Sequence, residues 1–241
     1  PKQVITDVTK FEMEQVDINN PVDFVNDSAE LITKYISVPF DLSRAPLIKV
    51  TLLNNTAADE YILIINVHHI ILDEWSIDIM TDDLSAFYGH FSGKKVITDE
   101  NKFKPSHVQY KEYAKWHNTQ IDNDNNAAES HKRYWLNKFS GQVPVLNLPS
   151  DFQRPKKQTF EGKTERFTLP VGLADVLKNL STQNNSTLFI TTLALLNVLF
   201  VKYSGQNDIV IGTPIANRAH PDIENQVGFF INTLALRNEA G

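Results

Sequence analysis

An α/β architecture of at least two layers is what this chain of 241 residues predicts, on three observations. Apolar, β-branched runs that read as strands are interleaved with segments whose apolar residues recur every three or four positions. Hydrophobic residues make up 41% of the sequence, enough for a core and too many for a disordered chain. The length allows one large domain or two modest ones.

Taken in order, "SAELITKYIS" (28–37) places Leu31, Ile32, Tyr35 and Ile36 on one helical face, and Pro39 ends that helix. "LIKVTLL" (47–53) and "EYILIINV" (60–67) read as two strands of a hairpin joined by the polar turn "NNTAAD". The near-continuous apolar character of the second strand predicts a central position, buried on both faces. Ile77, Met80, Leu84 and Phe87 mark an amphipathic helix capped by Asp73 or Ser76. The polar stretch "GKKVITDENKFKPSH" (93–107) reads as a connection between lobes. Two helical patterns follow, "VQYKEYAKWHNTQ" and "ESHKRYWLNKFSG". "VPVLNLPSDFQRPKKQTFEGK", with three prolines and no helical period, reads as an extended segment. "STLFITTLALLNVLFVKY" (186–203) predicts a helix buried in a core, ending near Gly205. A membrane span is the poorer reading, because Thr187, Thr191, Thr192 and Asn197 interrupt the segment and Lys202 falls in its last turn. Strand "DIVIGTP", loop "IANRAHPDIENQ" and strand "VGFFINTLALR" complete the pattern, and no internal repeat is visible.

The formal net charge is −6 and the basic residues are scattered, which argues against nucleic acid or an anionic membrane surface as a partner. The absence of cysteine excludes disulfide scaffolds, thiolate metal sites and cysteine nucleophiles. "PKQVITDVTK" has no apolar signal region, and a cytoplasmic location is expected. Without an initiator Met, the chain is expected to be part of something longer.

"NVHHIILDEW" (66–75) is the stretch with chemistry in it. If the preceding strand runs through residue 69, His68 and His69 point to opposite faces, and one can enter a cleft while the other packs into the body. Histidine moves protons near neutral pH, and a strand-to-helix junction is where α/β proteins place ligands. Both histidines can equally be satisfied strand-end residues, and the residues alone leave the two readings about level. A metal site is weaker, because His68 and His69 diverge and the other histidines show no i,i+4 pairing. "EGKTE" is not a phosphate loop, since the first glycine of that pattern falls on Lys157. No G-x-S-x-G elbow occurs.

"HHIILDEWS" (68–76) resembles the HHxxxDG core motif of the condensation domains of nonribosomal peptide synthetases. "PFDLSRAPLIKVTLL" (39–53), "YKEYAKW" (110–116), "YWLNKFSGQVPVLNLPSDFQRP" (134–155) and "IGTPIANRAHPDIENQVGFFINT" (211–233) are similar to further family segments, in family order. The resemblance implies two chloramphenicol-acetyltransferase-like lobes in a V, with a tunnel between them. Residues 1–105 would be the remainder of the N-terminal lobe and 106–241 the linker and first part of the C-terminal lobe, both incomplete, with the early RHExLRT-like motif before residue 1 and later motifs beyond Gly241. No cofactor is implied on the domain itself. The substrates ride on phosphopantetheine arms of upstream and downstream carrier domains, and an adenylation domain of the same synthetase is a further partner.

Carried over residue by residue, the resemblance makes His69 the catalytic histidine and gives His68, Asp73 and Arg218 structural roles, with Arg218 as the ion-pair partner of Asp73. Glu74, Trp75, Ser76, Tyr110, Trp116, Asn217 and Asn232 fall on or beside motif positions. The activity implied is amide formation between a donor acyl or peptidyl thioester and an acceptor aminoacyl thioester. An epimerisation domain or stand-alone acyltransferase of the same superfamily, and a non-catalytic docking domain, are the alternatives. Two departures bear on them. Glu112 conservatively replaces an aspartate, and Glu74 replaces the motif glycine; because a carboxylate there opposes a developing oxyanion, Glu74 is expected to point away from the reacting groups, the alternatives being that it tunes acceptor choice or damages activity.

Overall fold

In the computed structural model, described for residues 2–6, 10–19, 23–94, 96–97, 108–122, 126–153, 155–157, 159 and 162–239, the chain falls into two compact units. The first comprises Pro1–Asn118 with Ala216–Ile231, and the second Thr119–Ile215 with Asn232–Gly241. The lobe boundary expected at 105/106 lies outside the described residues, as does most of the polar connection 93–107.

The first unit opens with β1 (Met13–Asp17), α1 (Phe24–Asp27), α2 (Ala29–Ile36), β2 (Ile48–Asn55) and β3 (Glu60–Val67). The sheet order is β1-β2-β3, with β1 parallel and β3 antiparallel to β2. A parallel pair needs a crossover, which α1 and α2 supply. The predicted hairpin is present, with Ile48 opposite Val67 and Asn55 opposite Glu60. Asp59 takes a left-handed φ of 53° at its turn, a conformation aspartate tolerates.

The centre of this sheet is β2, not β3 as the sequence predicts. Among the described residues β3 lies at the edge and buries only Ile64 fully, while Tyr61 and Leu63 are exposed. The strand that changes the order is β1, whose "MEQVD" carries too little apolar alternation to be read as a strand. Phe24, Leu53 and Ile64 form the core of this half of the unit, flanked by Val16, Ile18, Leu31, Ile32, Tyr35 and Ile62. Ile36, placed on the same helical face by the sequence, is exposed.

The unit continues through α3 (Glu74–Phe91) into α4 (Tyr110–Asp122). On α3 the apolar stripe is only partly covered: Met80 and Phe87 are half-buried, Ile77 and Leu84 exposed, and the buried residue is Ser76. A second cluster joins Tyr113, Ile223 and Phe230, with Tyr110 against it. It unites the start of α4 with the segment 216–231, which holds the short helix Pro221–Glu224.

The second unit contains α5 (Asn126–Lys138), α6 (Val171–Gln183), α7 (Leu188–Ser204), β4 (Asp208–Ile215) and β5 (Asn232–Glu239). The last two pair antiparallel, from Asp208 opposite Glu239 to Ile215 opposite Asn232. Arg237 donates to Asp208 Oδ2 at 2.6 Å and to the carbonyls of Lys138, Ser140 and Gln142, which ties the end of α5 to this hairpin. The final strand begins at Asn232 rather than Val227, because 228–230 spend their backbone groups on side chains of the first unit, as described below.

Thr187 caps α7 by accepting from Ile190 N–H, and Gly205 ends it at a φ of 70°. This helix is not buried as predicted. Thr191 and Asn197 are its buried residues, while Leu188, Phe189, Ile190, Leu195, Val198 and Leu199 are exposed. The reason is coverage, since α6 and β4 lie against it and a helix apolar all round needs neighbours on every side. Among the described residues no single helix is long and apolar enough to cross a membrane.

Leu53 has no exposed surface and sits on the central strand. Leu53→Ala is expected to lower the unfolding free energy by about 2–5 kcal/mol, read by chemical denaturation.

Candidate active site

The chain leaves β3 at Val67, so the strand does not run through residue 69. His68 N–H donates to Leu47 O at 3.0 Å, after which one turn of 3-10 helix, His69–Ile71, carries the chain toward α3. His68 caps that turn, its Nδ1 accepting from Ile70 N–H at 3.0 Å. His69 Nδ1 lies 2.6 Å from Leu72 O. A carbonyl only accepts, so the hydrogen-bond network assigns the proton of neutral His69 to Nδ1 and leaves its Nε2 as a lone pair. His68 has the reverse assignment, with Nδ1 as the acceptor. The two neighbours are thus held in opposite tautomers by the backbone of one turn. His68 is half-buried, at 5.9 Å and edge-on to Phe40, whereas His69 is exposed, with the Phe229 ring 5.4 Å away at 77°.

Asp73 follows, 2% exposed, and it is the N-cap of α3. Its Oδ1 accepts from Ser76 N–H at 2.9 Å and from Arg218 Nη2 at 3.0 Å, and its Oδ2 accepts from Phe230 N–H at 3.0 Å. Its own N–H donates to Gly228 O at 3.0 Å. Burial is the largest single influence on this carboxyl and pushes its pKa up. The hydrogen bonds from Ser76, Phe230 and Arg218 together outweigh it and hold the group below the usual carboxylate range.

Arg218 completes the clamp. Its Nη1 donates to Ile223 O and Gln226 O, each at 2.6 Å, and its Nη2 to Asp73 and, at 2.7 Å, to Ser76 Oγ. The guanidinium lies 4.1 Å from the Phe230 ring centre. Asn217 delivers it by taking a left-handed φ of 54° and donating from Nδ2 to Tyr113 Oη. Ser76 Oγ accepts from Gly228 N–H at 3.0 Å as well as from Arg218, and its own proton goes to Asp73 Oδ1 at 2.6 Å or Gly228 O at 2.9 Å.

Of the remaining residues, Trp75 Nε1 donates to Glu224 O, and Tyr110 Oη donates to Phe229 O at 2.8 Å. Burial, then the Asp73 charge, raises the pKa of Tyr110. Trp116 is exposed, its ring 6.0 Å from Tyr113. Asn232 belongs to the second unit, where its side chain accepts from Thr233 N–H, and it is not among the residues gathered here. Glu74 is exposed and takes ordinary helical dihedrals at the first position of α3, where a negative charge suits the helix dipole. The glycine of the resembled motif is therefore not required here for a positive φ. Among the described residues no group of three or more His, Cys, Asp or Glu is gathered to hold a metal ion.

Sequence reasoning did not single out Gly228, Phe229, Phe230, Gln226 or Tyr113. A Cβ on Gly228 would lie 2.5 Å from Tyr110 Cδ2 and 2.7 Å from Phe230 Cε2. Gln226 is buried and donates from Nε2 to Val108 O and Asp222 O.

A family model described as "Condensation domain" matches residues 1–241. Gramicidin S synthase 2 of Aneurinibacillus migulanus is 44% identical over 212 residues, a match that spans 88% of this chain but only 4% of that protein. The X-domain solved with OxyB from teicoplanin biosynthesis superposes with a TM-score of 0.81 at 23% identity, covering 98% of this chain and 50% of that one. The epimerization domain from the third module of tyrocidine synthetase B gives 0.78 at 20%, covering 97% and 52%. At these identities the two structures speak to the fold alone.

Asp73→Asn leaves Arg218 buried without its counter-charge and is expected to cost about 3–5 kcal/mol, measured by denaturant unfolding at pH 7. The pH dependence has a definite sign. A carboxyl whose folded pKa lies below its unfolded value near 3.9 contributes stability that is complete above about pH 5 and is lost as pH falls through the folded value. Stability should therefore decline on acidification below about pH 4, and Asp73→Asn should flatten that part of the curve. Gly228→Ala should destabilise by about 1–3 kcal/mol through overpacking against Tyr110 and Phe230, and an unchanged midpoint would show that the aromatic pair can yield.

Proposed function

The chain belongs to the condensation-domain family, and on that premise we propose that it forms an amide bond between two carrier-bound thioesters in nonribosomal peptide synthesis. The observation that carries this reading is the imidazole of His69, exposed, held through Nδ1 by Leu72 O and left with a lone pair on Nε2. That is the state in which a histidine can accept a proton near neutral pH.

The donor is an acyl or peptidyl thioester on the phosphopantetheine arm of one carrier domain, and the acceptor is an aminoacyl thioester on another. The acceptor α-amine attacks the donor carbonyl. A C–N bond forms, the C–S bond breaks, and His69 Nε2 takes the surplus amine proton and passes one to the departing thiolate sulfur, so the imidazole ends as it began. A free α-amine titrates near 8, so a useful fraction of acceptor is already unprotonated at neutral pH. His69 then orients the amine and collects its proton, and positioning of the two thioesters supplies much of the acceleration. Asp73, Arg218 and Ser76 are positioning residues that hold the turn carrying His69. The carrier domains and an adenylation domain of the same synthetase are the partners this reading requires.

The test uses the synthetase that bears this chain, with both neighbouring carriers loaded and the acceptor carrier followed by intact-protein mass spectrometry. Product is expected on the acceptor, formed about 10²-fold or more slowly in His69→Ala. An undiminished rate in that variant removes the proton role. Solvent deuterium entering the α-carbon of the bound residue, without gain of acyl mass on the acceptor, replaces condensation by epimerisation. Neither product, from loaded carriers, leaves a docking domain.

A further inference from the structure

Among the described residues His69 is held by one hydrogen bond, from Nδ1 to Leu72 O. A single hydrogen bond does not by itself fix an imidazole, because rotation about the side-chain bonds can break it and release the tautomer it holds. The described contact that restrains that rotation is the ring of Phe229, with centroids 5.4 Å apart and planes at 77°. We propose that Phe229 is a positioning residue for His69, setting the direction in which Nε2 presents its lone pair, and that Tyr110 acts through it.

Phe229 can serve in this way because its backbone is held on both sides. Its carbonyl accepts from Tyr110 Oη at 2.8 Å. The preceding residue, Gly228, donates to Ser76 Oγ and accepts from Asp73 N–H, and the following one, Phe230, donates to Asp73 Oδ2. Phe230 turns inward and is 2% exposed between Tyr110 and Tyr113. Its neighbour Phe229 remains half-buried, against an exposed His69. The Phe-Phe pair thus divides its work, one ring closing the core and the other bracing the imidazole.

This inference rests on the reading of His69 as the proton acceptor, so the experiment carries one readout that depends on turnover and one that does not. In the intact synthetase, single-turnover amide formation is followed for Phe229→Ala, Phe229→Tyr and Tyr110→Phe. The expected result is a loss of about tenfold to a hundredfold in Phe229→Ala with half-saturation by the acceptor carrier unchanged, the size of effect expected from misplacing a catalytic group. Phe229→Tyr, which keeps the ring, should retain most of the rate, and Tyr110→Phe should lose an intermediate amount. The independent readout is the ratio of His69 ring tautomers from imidazole 15N shifts. It should move away from the Nδ1–H form in Phe229→Ala and stay in Phe229→Tyr, whether or not the protein turns over. A rate and a tautomer ratio both unchanged in Phe229→Ala would overturn the inference and leave the proposed function intact. An undiminished rate in His69→Ala would remove the proton role of His69 while leaving amide formation in place, and the tautomer ratio would still decide whether Phe229 holds the ring.

Discussion

Burying the charge of Asp73 sets the terms for everything around it. A carboxylate removed from water has to be met by donors on every side, and here they come from three places in the chain: the first turn of α3, the guanidinium of Arg218 and the backbone of Phe230. Each donor is a constraint on position. The N-cap fixes where α3 begins, and with it where the turn bearing His68 and His69 must end. Arg218 in turn demands the carbonyls of Ile223 and Gln226, and so folds the segment 216–231 onto the first unit. The ion pair itself adds little net stability once its desolvation is counted. What it provides is a geometry, since the three pieces must meet in this arrangement for the Asp73 carboxylate to keep its donors.

The same device recurs in the second unit under different conditions. Arg237 also grips an aspartate and a set of carbonyls, but Asp208 and Arg237 are partly open to solvent. A wetter pair is screened and more forgiving, and it serves there as a splice between α5 and a hairpin. The dry pair sits where the chemistry is, because position matters most there.

What could be read in the sequence was what is local. The hairpin, the cap at Asp73 and the helix end at Gly205 all rest on neighbours within a few residues. Helix α7 was legible as a helix but not in its burial, since coverage depends on elements far away in the chain. The strand β1 carries so little apolar alternation that only its pairing with β2 reveals it. At the site, the pairing of Asp73 with Arg218 spans 145 residues and could be named only through the resemblance of "IANR" and "HHIILDE" to a family. Gly228 gave no signal, because it has no unusual φ and matters only for the aromatic edges that crowd it. Phe229 and Phe230 look alike in sequence, and nothing local says which faces the core and which the histidine.

The clamp recognises main chain, not side chains. Asp73, Ser76, Trp75, Arg218 and Tyr110 reach the peptide groups of residues 223, 224, 226, 228, 229 and 230. Between those anchor points the side chains of Glu224, Asn225 and Val227 are exposed and take no part in the clamp. A peptide group is the same whatever residue carries it, so these positions are free to diversify while the frame that holds the histidine stays constant. Within one short segment the architecture thus separates the peptide groups that the clamp grips from side chains that it leaves unconstrained.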